Sequence, residues 1–277
     1  MRVAVVGHVE WIELARVERL PVAGEIVHAN DSWEDVGGGG AVAAVQLARL
    51  AGECLFITAL GGDDLGRRAK RRLTELGVRV EAAQRPGPQR RAFVHVDAEA
   101  ERTITVIGAR IGPHREDALP WDELEGADGV YLTAGDRGAA LAARAARKLV
   151  ATVRAEDALA GSGVQVDALV ASANDAGELY EPGALVPEPL LVVRSEGDRG
   201  GTLTTRDGSS RRWDAVELSN PPVDAYGAGD SFAAGFTYGL AEGRDPAAAA
   251  ALGARCGAAC TMGRGPYEGQ LETHGGS

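Results

Sequence analysis

Apolar runs of strand length recur along most of the chain: "VAVVG" near Val3, "CLFITAL" at Cys54, "GVYLTA" at Gly129, "LVATV" at Leu149, "DALVAS" at Asp167 and "LLVVRS" at Leu190. Helical patterns separate them. Hydrophobicity that is continuous rather than alternating marks strands buried on both faces, and therefore a mostly parallel sheet between layers of helices. Ligands of such sheets sit at the carboxyl ends of the strands. Two stretches break the rhythm, one over residues 9–33 and one over 90–107 ("RRAFVHVDAEAERTITVI"), where polar and apolar positions alternate and "DAEAE" supplies a turn. Alternation predicts a half-exposed sheet, read here as a small β-lid on a single domain spanning 1–270. The end of the chain, 271–277, has no core pattern and is expected to be loose.

Composition narrows the class. The chain has 277 residues, 45% of them hydrophobic, and a formal net charge of -11, which argues against nucleic acid or an anionic membrane as partner. No apolar run approaches the roughly 20 residues of a membrane span, and the first strand begins too early to leave room for a leader. Three cysteines, Cys54, Cys256 and Cys260, lie in apolar or alanine-rich settings, as reduced core cysteines would; the expected compartment is the cytoplasm. Lysine occurs only at Lys70 and Lys148, and this arginine bias, with the alanine and glycine excess, reads as codon usage without function.

Two glycine clusters carry the chemistry. In "VGGGGAVAAVQLARLAG" four glycines precede an alanine-rich helix, and Gly38-x-Gly40-x-x-Ala43 matches a loose dinucleotide fingerprint. The residues before it, "HANDSWEDV", are polar rather than a buried strand, so that match is weak. In "NPPVDAYGAGDSFAAGFTYGLAEG", Gly227, Ala228 and Gly229 make a tight turn into a helix marked by Phe232, Phe236 and Leu240. Asp230 stands at that helix N-terminus, either as an N-cap or as a base beside an anion hole built from the amides of Ala228, Gly229 and Asp230.

"DAYGAGDSFAAGF" resembles the C-terminal signature of the ribokinase-like, or PfkB, carbohydrate kinases, and "GGGGAVAAVQLARLAG" is similar to their N-terminal di-glycine motif. Further similarity runs through "VVGHV", "LPVAGEIV", "ALGGDDLG", "LVVRSEGDRGG" and "AACTMGRGP", covering nearly the whole chain. The resemblance implies a three-layer α/β/α fold with a β-lid and transfer of the ATP γ-phosphate to a hydroxyl of a small sugar, polyol or nucleoside. It implies Asp230 as the base, Gly227 to Gly229 around the phosphoryl group, and Gly38, Gly39 and Gly40, with Glu10, at the acceptor. Asn174, Ser195 and Gly197 fall at nucleotide positions and Asp224 at a K⁺ site. Glu178 stands one residue later than the glutamate that helps order Mg²⁺, whose place Gly177 takes. A homodimer through the lid is a further expectation.

The acceptor side departs most from the family. Glu10 and Ile12 stand where ribose-taking members carry Asn and Asp, and Gly39 and Val42 where they carry Lys and Asn, so free ribose is expected to be a poor acceptor. His8 and Glu13 remain as hydroxyl-binding candidates, and Trp11 and Trp33 as covers for a ring. The Asp63–Asp64 pair reads as a helix start rather than a metal site. A catalytically silent sugar- or nucleotide-binding protein on the same scaffold is the alternative.

Overall fold

The computed structural model describes residues 1–272. Its strands are β1 (Val3–Val6), β2 (Glu10–Arg16), β3 (Asp31–Gly37), β4 (Cys54–Gly61), β5 (Val78–Arg85), β6 (Arg91–Val96), β7 (Arg102–Ile107), β8 (Gly129–Leu132), β9 (Leu149–Thr152), β10 (Ala168–Ser172), β11 (Leu191–Ser195), β12 (Gly201–Thr205) and β13 (Ser210–Trp213). Its α-helices are α1 (Gly39–Ala51), α2 (Asp64–Glu75), α3 (Arg137–Ala143), α4 (Glu156–Leu159), α5 (Ala228–Ala241) and α6 (Pro246–Cys260).

Nine strands form one sheet in the order β13-β12-β11-β10-β9-β8-β1-β4-β5, parallel from β11 to β5, with an antiparallel hairpin at the β13 edge. The pleat explains the unbroken apolar runs. Val3 and Val5 of β1 pack into the core beneath α1, α5 and α6, while Ala4 and Val6 point into a second core shared with α3 and α4. Both faces are dry, so no position along β1 is free to be polar, and the result is a three-layer α/β/α molecule.

A second sheet, of four strands in the order β3-β2-β6-β7, stands apart from the first. Its β6 alternates half-buried and buried residues, and β7 is exposed throughout. The β6–β7 turn holds Ala100 at φ 64, and the carbonyl of Ala100 accepts from the amide of Ala225 at 3.1 Å. The small sheet therefore touches the loop that leads into α5.

The tail expected over 271–277 lies, from residue 273 onward, outside the described residues. Its first two residues are held: the Leu271 carbonyl accepts from Gln46 at 2.7 Å, and Glu272 faces Arg49 at 3.6 Å.

Candidate active site

Helix capping singles out one place in the molecule. Asp63 caps α2 by accepting from Gly66 at 3.0 Å, and Asp245 caps α6 by accepting from Ala247 and Ala248 at 2.9 and 3.1 Å. The other two long helices, α1 and α5, begin at Gly38 and Gly227 with no side-chain cap. Those uncapped ends meet. A Cβ on Gly39 would stand 2.7 Å from Oδ1 of Asp230, so glycine is what lets the carboxylate lie across the start of α1. Gly227 takes φ 84, a left-handed turn that admits no side chain without strain.

Asp230 is accordingly not the N-cap; it is the third residue of α5. The capping reading is replaced by a carboxylate aimed across a cleft. The amides of Gly229 and Asp230 have no acceptor among the described residues, and the Gly229 Cα faces open space, whereas the Ala228 amide is already drawn, at 3.4 Å, to the carbonyl of Ala225. Uncompensated N–H groups at a helix start form an anion cradle. Burial, reinforced by the charge of Glu178, pushes Asp230 up to about 7, against the opposing pull of Arg102. A carboxyl group so poised can take a proton near neutrality.

The carboxyl ends of the parallel strands deliver the remaining groups. After β1 come His8 and then Glu10, buried to 6% and 7% exposure, and both lie against the glycine run: a Cβ on Gly38 would stand 3.0 Å from the Glu10 amide. Gly40 packs on the His8 backbone rather than facing the cleft. His8 Nδ1 lies 3.3 Å from the Thr133 hydroxyl, which follows β8. Burial first, then the positive charge of Arg110, Arg90 and Arg154, holds its pKa well below the usual imidazole value, so the ring is neutral. Burial raises the pKa of Glu10, while Arg90, with Nε 2.7 Å from Oε1, and then Arg110 oppose the rise.

Farther along the sheet edge, Asn174 follows β10 and Ser195 ends β11. A Cβ on Gly197 would lie 3.1 Å from Asn174 Nδ2, and the Ser195 hydroxyl donates to the Ala171 carbonyl at 3.3 Å, so exposed Asn174 and Gly197 and half-buried Ser195 form one rim. Glu178 is engaged by Arg154 at 2.7 Å, with Asp175 on the same guanidinium at 2.5 Å, and its charge reaches Asp230. No cluster of three metal-ligating side chains occurs among the described residues.

Asp224 is fully buried, its two oxygens accepting from Tyr226 at 2.8 Å and Gly265 at 3.0 Å. Burial raises its pKa and these amides oppose the rise. It braces the loop before α5, and each oxygen retains a lone pair with which it could meet a monovalent cation.

Ile12 and Val42, which replace polar residues of ribose-taking members, are buried in the core at 0% exposure. Other acceptor candidates are engaged by arginines. Each tryptophan has one face taken by an arginine: Arg68 lies 4.2 Å over Trp11, and Arg264 lies 4.1 Å over Trp33. Glu13 faces Arg91 at 3.6 Å on the small sheet. Conversely, the cleft contains groups that the sequence did not single out. Tyr226 is one: its hydroxyl accepts from the Gly38 amide at 3.1 Å and ties the two glycine clusters together. Its place inside the second cluster was a signal for it. Arg90, Arg110 and Arg154 had none, in a chain whose basic residues are nearly all arginine.

The profile of the pfkB family carbohydrate kinases matches residues 1–273. Over 259 residues, 85% of this chain and 83% of the relative, the sequence is 29% identical to an ATP-dependent ribose-1-phosphate kinase of Halopiger xanaduensis. Among solved structures, a ribokinase from Thermotoga maritima superposes with a TM-score of 0.77 at 20% identity, covering 98% of this chain and 96% of that one. A ribokinase from Arabidopsis thaliana, complexed with ribose and ATP, gives 0.74 at 20% identity with the same coverage. The fold is the ribokinase fold. The chain belongs to the pfkB family of carbohydrate kinases, and it is a kinase. No helix among the described residues is long and apolar enough to cross a membrane.

Proposed function

We propose that the protein transfers the γ-phosphate of ATP to a hydroxyl of a small sugar, polyol or nucleoside, with Asp230 as general base. The single observation that carries this reading is the meeting of Asp230 with two uncapped helix starts across a strip of glycines. The acceptor lies over Gly38 and Gly39, with its reacting hydroxyl toward Asp230 and its other hydroxyls within reach of Glu10 and neutral His8. Its oxygen forms a new bond to the γ-phosphorus, the bond from that phosphorus to the ADP oxygen breaks, and the proton passes to Asp230. The amides of Gly229 and Asp230 face the charge on the transferring group.

ATP lies along the rim of Asn174, Ser195 and Gly197. Mg²⁺, carried with the nucleotide, neutralises phosphate charge, and Glu178 and Asn174 are the residues that would order it. Asp224 would hold K⁺. The small sheet acts as a lid, since its turn contacts the loop before α5. Large aliphatic side chains exposed on β7 (Ile104, Val106 and Ile107) suit a homodimer through that sheet.

The named activities of the relatives, on ribose and on ribose 1-phosphate, support a pentose-like acceptor. With Ile12 and Val42 turned into the core, free ribose is expected to be a poor one. A coupled ADP-release screen over pentoses, hexoses, polyols and nucleosides tests the reading, run on the native protein and on Asp230→Asn. The native enzyme should turn over at least one acceptor, and the variant should lose roughly 10²- to 10⁴-fold in kcat while still binding ATP. A fully active variant removes Asp230 as base. ATP binding without turnover of any acceptor would favour the silent binding protein.

A further inference from the structure

Beside the glycine floor, two neighbouring strands of the main sheet bring a histidine and a hydroxyl together. β1 and β8 pair in parallel with Val6 opposite Leu132, so Gly7 and Thr133 leave the sheet side by side and His8 follows. The Thr133 amide donates to the Val6 carbonyl at 2.8 Å, and a Cβ on Gly7 would collide with Oγ1 of Thr133. Glycine there lets the hydroxyl reach the next residue. His8 and Thr133 are both buried.

The Thr133 hydroxyl has two contacts, both with His8: its oxygen accepts from the backbone amide at 3.4 Å and lies 3.3 Å from ring Nδ1. Its own proton still needs an acceptor, and Nδ1 is the one within reach. A proton on Nδ1 would instead leave a buried hydroxyl with no acceptor, which disfavours that form by about tenfold or more. The buried ring is neutral and carries one proton, which then resides on Nε2.

The two carbons that flank Nε2 show where it faces. A Cβ on Gly38 would stand 3.3 Å from His8 Cδ2, and one on Gly39 would stand 3.7 Å from His8 Cε1 and 2.7 Å from Asp230 Oδ1. The Nε2 edge of the ring therefore lies along the Gly38–Gly39 floor, at the same glycine that the Asp230 carboxylate crosses. Nε2 has no hydrogen-bond partner among the described residues and is not sealed in, so it opens on the cleft.

We infer that Thr133 fixes His8 in the form protonated on Nε2, and that this N–H donates to the acceptor's oxygen next to the hydroxyl facing Asp230. The inference rests on the kinase reading above and deepens it: favoured acceptors carry two neighbouring oxygens, one the nucleophile and the other held by His8. Thr133 is a positioning residue, acting only through the ring. An Nε2 that already bears a proton takes none from the substrate, so the base remains Asp230. Removing the second oxygen leaves a donor unpaired in the recess, which is a strong basis for discrimination.

The tautomer is read without substrate, from the ring-nitrogen resonances of protein labelled with ¹⁵N-histidine at about pH 7.5, the His8 signals being those lost in His8→Gln. His8 should show a protonated Nε2 and a bare Nδ1. Thr133→Ser should keep that pattern, and Thr133→Val should shift population toward the other tautomer. A protonated Nδ1 in the native protein would overturn the inference, whether or not the kinase reading holds.

The contact is read from turnover. With the best acceptor of the ADP-release screen, Thr133→Val should raise KM roughly tenfold, with kcat changed less than about threefold and the Kd for ATP, measured without acceptor, within about twofold; Thr133→Ser should recover most of the loss. Monodeoxy analogues are then compared, one for each hydroxyl next to the phosphorylated position. One of them should lose roughly 10- to 100-fold in kcat/KM with the native enzyme but only severalfold with Thr133→Val, since one contact cannot be lost twice. Equal losses in the two proteins would overturn the inference and leave the kinase reading intact. If nothing in the screen releases ADP, the kinase reading fails, and ribose, fructose, ribitol and adenosine are titrated into the labelled protein. Movement of the His8 Nε2 resonance with at least one of them would sustain the contact, and no movement with any would end it.

Discussion

Asp230 carries two consequences at the scale of a single residue. A carboxyl pushed up to about 7 should impose an ascending limb on kcat/KM, with an inflection near pH 7 in the free enzyme that disappears in Asp230→Asn. The same shift acts on stability with the opposite sense. Because the folded pKa lies above the unfolded one, the folded state binds more protons between them, and stability falls as pH rises from about 4 through 7. Asp230→Asn, which cannot ionise, should therefore gain stability relative to the native protein at pH 8, by about 1 kcal/mol or a few degrees in Tm, and lose that advantage near pH 5. Thermal melts of both proteins at the two pH values check it, and a cap-like loss at pH 8 would contradict the placement of Asp230 inside α5. Gly39→Ala tests the close approach. Its Cβ would meet the Asp230 carboxylate at 2.7 Å, so the side chain must swing aside; kcat should fall ten- to a hundredfold while the Tm changes little.

Elements bring their own constraints. Helices α5 and α6 pack closely because glycines lie at their contact: a Cβ on Gly253 would stand 2.7 Å from the Phe232 carbonyl oxygen, and one on Gly235 2.6 Å from Cys256 Sγ. The backbone carbonyl cannot rotate away as a side chain would. Gly253→Ala should thus push α6 off α5 and cost about 1–3 kcal/mol, seen as a lowered urea midpoint, despite the better helix propensity of alanine. The alanine and glycine excess, which composition alone presents as codon usage, has here a packing role. The small sheet makes a kinetic prediction. If it closes over substrates, amide exchange over 91–107 should slow when nucleotide and acceptor are bound together, and equal protection in the free and doubly bound protein would argue against a lid.

The whole molecule places its cysteines out of reach. Cys54, Cys256 and Cys260 are all buried, and burial raises each thiol, Cys256 and Cys260 to about 12. Native protein at pH 8 should react negligibly with a thiol reagent such as iodoacetamide, and all three positions should label in denaturant. At this scale the sheet order also explains why the site is where it is. His8, Thr133, Arg154, Asn174 and Ser195 come from positions spread across the chain, yet each lies at or just beyond the carboxyl end of a parallel strand, and parallel strands deliver all those ends to one edge.

Local pattern was enough for six strands of the main sheet and for the two glycine clusters, though not for β5, β12 and β13. Continuous apolar runs require strands covered on both faces, and β1, β4, β8, β9, β10 and β11 lie where those runs lie. Asp230 was legible because its glycine turn and helix are contiguous with it. What sequence could not reveal depends on distance between remote segments. Whether Asp230 capped its helix or crossed to Gly39 was decided by how α1 and α5 meet. That Trp11 and Trp33 each carry an arginine, Arg68 and Arg264, over one face was equally invisible to the local pattern. The arginines around His8 and Glu10 were hidden most completely, since Arg90, Arg110 and Arg154 are each one among many arginines and only the tertiary structure brings their three loops together. Periodicity reports which face of an element is buried; it carries no information about which charges from other elements share the same recess, and electrostatics depends on that.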